Sequence, residues 1–248
     1  MLLKMDNTYD KNMKKIVFIT GAGISAESGI STFRDSNGLW EQHNVEDVAS
    51  IDGYYRNPEL VLKFYNERRR QLVTCKPNEA HKLVAQLEKK FYVTVVTQNV
   101  DNLHERAGST NVMHLHGELM KATSSDDPNN PDYIQTLPYD NLDIKIGDKA
   151  KDDSQLRPYI VWFGEPVPMI EKAAHEVMKA DIVVVVGTSL KVYPAAGLLH
   201  YARPDAKLYL IDPNPVDVAF NNITVIQKIA SEGMKELVDI LKSTTKNL

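Results

Sequence analysis

The chain has 248 residues, 43% of them hydrophobic and 25% charged, an ordinary globular composition with length enough for a sizeable core. Its 33 acidic and 29 basic residues leave a net charge of -4, so no basic nucleic-acid footprint is indicated. A single cysteine, Cys75, excludes an intramolecular disulfide and a thiolate zinc site, and suits a reducing, cytoplasmic setting.

The first residues, Met1-Leu2-Leu3-Lys4-Met5-Asp6, lack the apolar centre of a signal peptide. No apolar run approaches the ~20 residues of a membrane helix. Residues 1–12 are expected to be a flexible N-terminus. Lys15-Ile16-Val17-Phe18-Ile19-Thr20 is an apolar run bounded by glycine and predicts the first, central strand of a parallel sheet. Gly21-Ala22-Gly23-Ile24-Ser25-Ala26 follows at once, in G-x-G-x-x-A form. Between a strand and a helix this is a phosphate-binding turn, with backbone N–H groups and a helix N-terminus facing a pyrophosphate. Tight turns of this kind also use glycine for packing alone. The acidic residue expected about 20 positions on, at the end of a second strand, is missing. Gly38-Leu39-Trp40-Glu41-Gln42-His43 stands there, after an irregular loop over 28–35. A standard hydride-transferring dehydrogenase half is therefore disfavoured.

Residues 58–72 have a helical pattern, with Leu60, Phe64 and Leu72 among the apolar positions and Tyr65 and Arg68 sharing one face. Lys76-Pro77 breaks it, and Asn78 starts a helix over 79–90 with Ala80, Leu83, Val84 and Leu87 inward. Residues 91–96 predict a buried strand. Gln98, Asn99 and Asp101 follow it, where an open α/β sheet places its ligands, and His114-Leu115-His116-Gly117 adds a second polar cluster. Residues 117–158 are polar and proline-broken and predict an insertion of loops and short elements. Regular rhythm then returns: a strand over 159–163 ending at Gly164, a helix over 170–179, a strand over 181–186, a strand over 207–211 ending at Asp212-Pro213-Asn214, an edge strand over 224–226 and a helix over 233–243. The alternation predicts an α/β fold, a Rossmann-like doubly wound parallel sheet with a smaller inserted module. The expected division gives 13–36, 76–116 and 159–248 to the Rossmann-like part, and 37–75 and 117–158 to the module.

Six motifs in this order resemble the sirtuins, NAD-dependent protein lysine deacylases: Gly21-Ala22-Gly23-Ile24-Ser25, Phe33-Arg34-Asp35, Thr97-Gln98-Asn99-Val100-Asp101, His116-Gly117, Phe163-Gly164-Glu165 and Gly187-Thr188-Ser189-Leu190. The resemblance implies NAD as a consumed co-substrate and acylated protein lysines as partners. It implies nicotinamide, free lysine and O-acyl-ADP-ribose as products. It assigns Gly21, Ala22, Gly23, Ile24 and Ser25 to the pyrophosphate. Phe33 and Arg34 fall on a flexible cofactor loop, with Phe33 shielding the reactive ribose carbon. Asn99 and Asp101 match the nicotinamide carboxamide pocket and Gln98 a ribose contact. Ser189, Asn214 and the backbone near Ala230 match the adenosine side, and Gly187 and Thr188 also match cofactor-binding positions. His116 matches the catalytic base, a role imidazole suits because it titrates near working pH. His104 and His114 are read as structural. The substrate peptide would lie as an added strand, with Val161, Phe163 and Gly164 on one side and Val192 on the other, so sequence specificity is expected to be weak. Tyr65 and Arg68 resemble the Tyr-x-x-Arg signature of the class III sirtuins, which remove succinyl and malonyl groups. A guanidinium and a phenol can bind such a terminal carboxylate together.

One departure stands out. Most sirtuins carry two Cys-x-x-Cys pairs for structural zinc in the inserted module, and here residues 117–158 contain no cysteine. No zinc is expected, and the module is expected to pack through Leu119, Tyr133, Ile134, Leu137, Leu142 and Ile144. Asp126 and Asp127 are read as a solvated loop. An ADP-ribosyltransferase, or a catalytically weak NAD-sensing module, would use the same cofactor motifs. Neither nucleic acid nor membrane is expected as a partner, and the sequence is silent on oligomeric state.

Overall fold

The computed structural model describes residues 13–30, 44–188, 195–215 and 222–245. The described strands are β1 (Lys15–Thr20), β2 (Tyr92–Thr97), β3 (Val112–His114), β4 (Gly117–Ser124), β5 (Gln135–Thr136), β6 (Leu156–Ile160), β7 (Ile182–Val186), β8 (Lys207–Ile211) and β9 (Ile223–Ile226). The described α-helices are α1 (Val45–Val48), α2 (Ile51–Arg56), α3 (Pro58–Thr74), α4 (Glu79–Leu87), α5 (Leu103–Ala107), α6 (Ile170–Met178) and α7 (Ala230–Thr245). Six strands form one parallel sheet in the order β3-β2-β1-β7-β8-β9, with β1 and β7 at the centre.

The central strands are buried on both faces, which is why they read as unbroken Val/Ile runs. Ile16, Phe18, Val95 and Val184 face one layer with Ala80 and Val84 of α4 and Met234 and Leu237 of α7. Val17, Ile19, Val183 and Val185 face the other, with Ala173 and Val177 of α6 and with Leu198 and Leu199. The orders β3-β2-β1 and β1-β7-β8-β9 run outward in opposite directions, so the crevice at the carboxyl ends of β1 and β7 is the topological switch point.

The three-stranded sheet β5-β4-β6 is antiparallel, and with α1–α3 it encloses a second core. Local signals start these helices. Asn57 Oδ1 accepts from Leu60 N at 3.1 Å with Pro58 at the first helical position, and Asn78 Oδ1 accepts from Ala80 N at 2.9 Å.

Four expectations need correction. The strand predicted over 159–163 is β6, which starts at Leu156, ends at Ile160 and pairs antiparallel with β4 in the small sheet. Its partner β4 lies in the stretch read as loops, so the pairing was invisible in the alternation. Val112–His114 adds a strand to the large sheet that its three residues are too few to announce. The turn after β1 opens two 3-10 turns, Ala22–Ile24 and Ala26–Ser28, and no full α-helix. Leu60, one of the apolar positions of the helical pattern, is 38% exposed.

The inserted stretch is held by buried polar side chains as well as by packing. Arg69, fully buried, donates from Nε to the Leu142 carbonyl at 2.7 Å and from Nη2 to Asn66 Oδ1. Asn66 in turn accepts from Ile144 N at 3.0 Å and donates to its carbonyl at 2.9 Å. Ser124 Oγ donates to Asp152 Oδ2 at 2.6 Å and accepts from the amides of Asp126 and Asp127, each at 3.0 Å. Leu119, Leu137 and Ile144 join the second core and Leu142 packs against it, whereas Tyr133 and Ile134 are half-buried outside it. Among the described residues no helix is long and apolar enough to cross a membrane.

Candidate active site

Gly21, Gly23, Gln98, Asn99, Asp101, Gly187 and Thr188 lie at or just beyond the carboxyl ends of the parallel strands β1, β2 and β7. Leaving β1, Gly21 N donates to the Val186 carbonyl at 3.0 Å and Gly23 N to the Gly187 carbonyl at 2.9 Å. A Cβ on Gly21 would lie 2.6 Å from Thr188 Cβ, and one on Gly23 would lie 2.6 Å from Gly187 Cα. The glycines thus let the turn lie against the exit of β7, where Gly187 itself has a φ of 61°. Ile24 N and Ser25 N bond back to Gly21 and Ala22 within the turn, at 3.1 and 3.0 Å, and among the described residues the Ala22 amide has no backbone acceptor. That open donor beside a closely approached glycine backbone fits a phosphate.

Leaving β2, Gln98 Nε2 donates to Thr188 Oγ1 at 3.0 Å, tying the two strand exits together. Asn99 is buried, and its Nδ2 donates to the Gly21 carbonyl at 3.1 Å and to Ser25 Oγ at 3.2 Å. Asp101, also buried, accepts from Ser25 Oγ at 3.0 Å and from Leu103 N at 3.0 Å. Burial pushes its carboxyl up, against those two donors, which favour the carboxylate. An amide and a carboxyl fixed side by side offer the mixed donors and acceptors that a carboxamide needs.

His116 sits between β3 and β4, and its Nδ1 lies 3.0 Å from the Gln98 carbonyl. A carbonyl only accepts, so Nδ1 carries the proton and Nε2 is left with a lone pair. Burial lowers the imidazole pKa and the Gln98 bond partly opposes this, so the ring favours the neutral form. Gly117 next to it has a φ of 81°, and a Cβ there would meet the Tyr159 carbonyl at 2.2 Å, so only glycine lets β4 start against β6. Val161 N donates to the His116 carbonyl at 3.0 Å. Phe163 bonds through its amide to the Ala49 carbonyl (2.9 Å) and through its carbonyl to Ile51 N (3.1 Å), and its ring is 48% exposed. Gly164 follows with a φ of 92°.

On α3, Tyr65 is buried and its hydroxyl accepts from Trp162 Nε1 at 3.0 Å, while burial raises its pKa, so the phenol keeps its proton. One turn on, Arg68 lies with its guanidinium 4.8 Å over the Phe64 ring. Across the cleft Asn214, at the exit of β8, bonds through its amide to Asp212 Oδ1 at 2.9 Å. Ala230 opens α7, and the next residue, Ser231, is clasped by Glu27 through its amide (2.9 Å) and hydroxyl (2.6 Å). Phe33, Arg34, Ser189 and Val192 lie outside the described residues.

The Sir2 family profile matches residues 21–194. A protein of Bacteroides thetaiotaomicron named NAD-dependent protein deacylase is 61% identical over 230 residues, which span 92% of this chain and 98% of that protein. The chain belongs to the Sir2 family. The crystal structure of a Sir2 homolog–NAD complex superposes with a TM-score of 0.81 at 36% identity, over 94% of this chain and 91% of that one. A Sir2–p53 peptide–NAD+ structure does so with a TM-score of 0.74 at 31% identity, over 92% and 93%.

Within this Sir2-family site, sequence reasoning missed His81. It is fully buried on α4, with Nε2 3.4 Å from Ser25 Oγ and Nδ1 3.1 Å from Asn78 Oδ1. Burial lowers its pKa to about 4, so it is neutral. The signal was there: a polar residue on the inward, Ala80–Val84 face of an amphipathic helix. Its ring packs edge-on at 4.9 Å against His104, whose Nε2 is 3.2 Å from Thr20 Oγ1. His104 and His114, read as structural, are built in. His114 Nδ1 meets the Asn99 carbonyl at 2.9 Å and Nε2 meets Glu105 at 2.7 Å. Burial opposes charge on His114, but the Glu105 carboxylate outweighs it and raises the pKa.

Proposed function

We propose that this Sir2-family chain is an NAD-dependent protein lysine deacylase that prefers acyl groups ending in a carboxylate, succinyl and malonyl, and also removes acetyl. The observation that carries the acyl preference is Arg68. Among the described residues its Nε and Nη1 are buried without a hydrogen-bond partner, and its Nη2 lies 3.9 Å from Glu67 Oε2. Burial lowers its pKa, so the site bears the cost of desolvating the cation. An unmade charged hydrogen bond costs ~1–3 kcal/mol or more, which a carboxylate arriving beside Arg68 would recover. Tyr65, one turn away, accepts from Trp162 and keeps its own proton to donate. Tyr65 and Arg68 thus offer a fork and a phenol to one end of a dicarboxylic acyl chain.

NAD, when bound, supplies a ribose carbon that becomes electrophilic as nicotinamide leaves. The residues of this chain then have distinct tasks. Ala22 and the glycines that flank it meet the pyrophosphate, with Ile24 and Ser25 shaping the turn. Phe33 and Arg34 serve the cofactor, Phe33 by shielding the reactive ribose carbon. Gln98, Gly187, Thr188, Ser189, Asn214 and Ala230 contact its two ends. Asn99 and Asp101 hold the departing carboxamide. His116 takes a proton from a ribose hydroxyl through Nε2, with Gln98 fixing the tautomer. The acyl-lysine peptide lies as an extended strand between Val161–Gly164 and Val192, and the products are nicotinamide, free lysine and O-acyl-ADP-ribose. Residues 13–36, 76–116 and 159–248 make up the cofactor-binding part, apart from the end of β6 and Trp162, which pair and pack with the module. Residues 37–75 and 117–158 form the module that reads the acyl group and needs no zinc. The protein works in the cytoplasm. Nicotinamide release that depends on an acyl-lysine peptide is the test: release without it would point to another use of the cofactor.

A further inference from the structure

Arg157 is 1% exposed and lies outside every role given above. Its guanidinium forks onto Glu165, with Nη1 to Oε1 at 2.7 Å and Nη2 to Oε2 at 3.0 Å. Nη2 also donates to the Ile160 carbonyl at 2.7 Å. The face of the same plane stacks 3.5 Å from the Trp162 ring centroid, with Tyr54 5.7 Å away. Glu165 Oε2 accepts in addition from Trp162 N at 2.8 Å. Trp162 is therefore gripped twice, by its backbone and by its ring.

Two things hang on that grip. Trp162 Nε1 donates to Tyr65, which fixes the phenol on the acyl side. The turn between Val161 and Gly164 is the edge offered to the peptide, and its first amide bonds to the His116 carbonyl. One buried cation thus sets the acyl pocket and the peptide edge in register with each other. We infer that Arg157 is a positioning residue for the acyl-lysine substrate, acting through Trp162 and Glu165. This inference rests on the deacylase reading but on no particular acyl group. A lysine could keep the charge, but it lacks the planar fork and the stacking face.

The test is steady-state kinetics of wild type, Arg157→Lys and Trp162→Phe with the peptide that wild type uses best. Trp162→Phe leaves the Arg157–Glu165 ion pair and an aromatic ring beneath it, and removes the Nε1–H donor together with part of the ring. Both variants should raise KM for the peptide by at least about tenfold, with KM for NAD within about twofold. Their thermal midpoints should stay within about 5 °C of wild type. An unchanged peptide KM in both overturns the inference. So does a parallel loss of both KM values with a collapsed midpoint, which would make Arg157 a scaffold residue only. If Arg157→Lys does not fold, Trp162→Phe decides alone. A wild type whose nicotinamide release ignores acyl-peptide would instead remove the deacylase reading, a result these variants cannot mimic.

Discussion

His116 donates through Nδ1 to the main-chain carbonyl of Gln98 across 3.0 Å, and this bond chooses the nitrogen that can act as a base. Burial lowers the pKa of the ring, and only the neutral form accepts a proton. The acid limb of kcat/KM should therefore fall below the ordinary histidine value of ~6.5, with activity full above it. A limb above that value would contradict the assignment. His116→Ala should cut deacylation by ~10²–10⁴-fold while NAD still binds, read by single-turnover assay and calorimetry.

Arg68→Met keeps length and packing and removes the fork. Succinyl-peptide kcat/KM should drop by roughly ten- to a hundredfold, the worth of a charge-assisted pair of ~1.5–3 kcal/mol. Acetyl-peptide turnover should change little. Equal losses on both peptides would make Arg68 a support for the fold.

The inner strands of the large sheet were legible because they are buried on both faces, and runs such as Ile182-Val183-Val184-Val185-Val186 have no other reading. The strand-end positions of Gln98, Asn99 and Asp101 followed from that alone. The small sheet was not legible. β4 is a strand broken by an irregular register between Gly117 and Ala122, and its pairing with β6 spans a loop-rich stretch of polar residues. The glycine motif was legible as a turn, but its reason was not. Gly21 and Gly23 lack side chains because Gly187 and Thr188, far along the chain, occupy that space. His81 escaped because a buried neutral histidine carries no mark in the sequence beyond its place on an apolar helix face.

Buried neutral His81 predicts an acid sensitivity. Its folded pKa of about 4 lies below the unfolded value of 6.5, so below pH 6.5 the unfolded chain binds more protons. Stability should be full above pH 6.5 and fall progressively towards pH 4, by up to about 3 kcal/mol from this group. Denaturant melts of wild type and His81→Gln across that window should show a shallower slope in the variant. Parallel curves would mean that His81 is not the titrating group.

Ser124 predicts how the module stands without cysteines. Ser124→Ala removes the hydroxyl that Asp152 and two amides share, and should destabilise the protein by ~1–3 kcal/mol. Chelators should leave the thermal midpoint unchanged, and elemental analysis of protein purified without added zinc should find none in stoichiometric amount. A midpoint that falls with chelator would reveal a metal in the fold.

The most direct measurement is mass spectrometry of matched succinyl-, malonyl- and acetyl-lysine peptides incubated with NAD and the wild-type protein. The expected result is loss of the acyl mass from the peptide and gain of the same mass on ADP-ribose. Succinyl and malonyl peptides should exceed acetyl in kcat/KM by about tenfold or more. Acetyl turnover equal to or faster than succinyl, or ADP-ribose appearing on the peptide with its acyl group intact, would contradict the account.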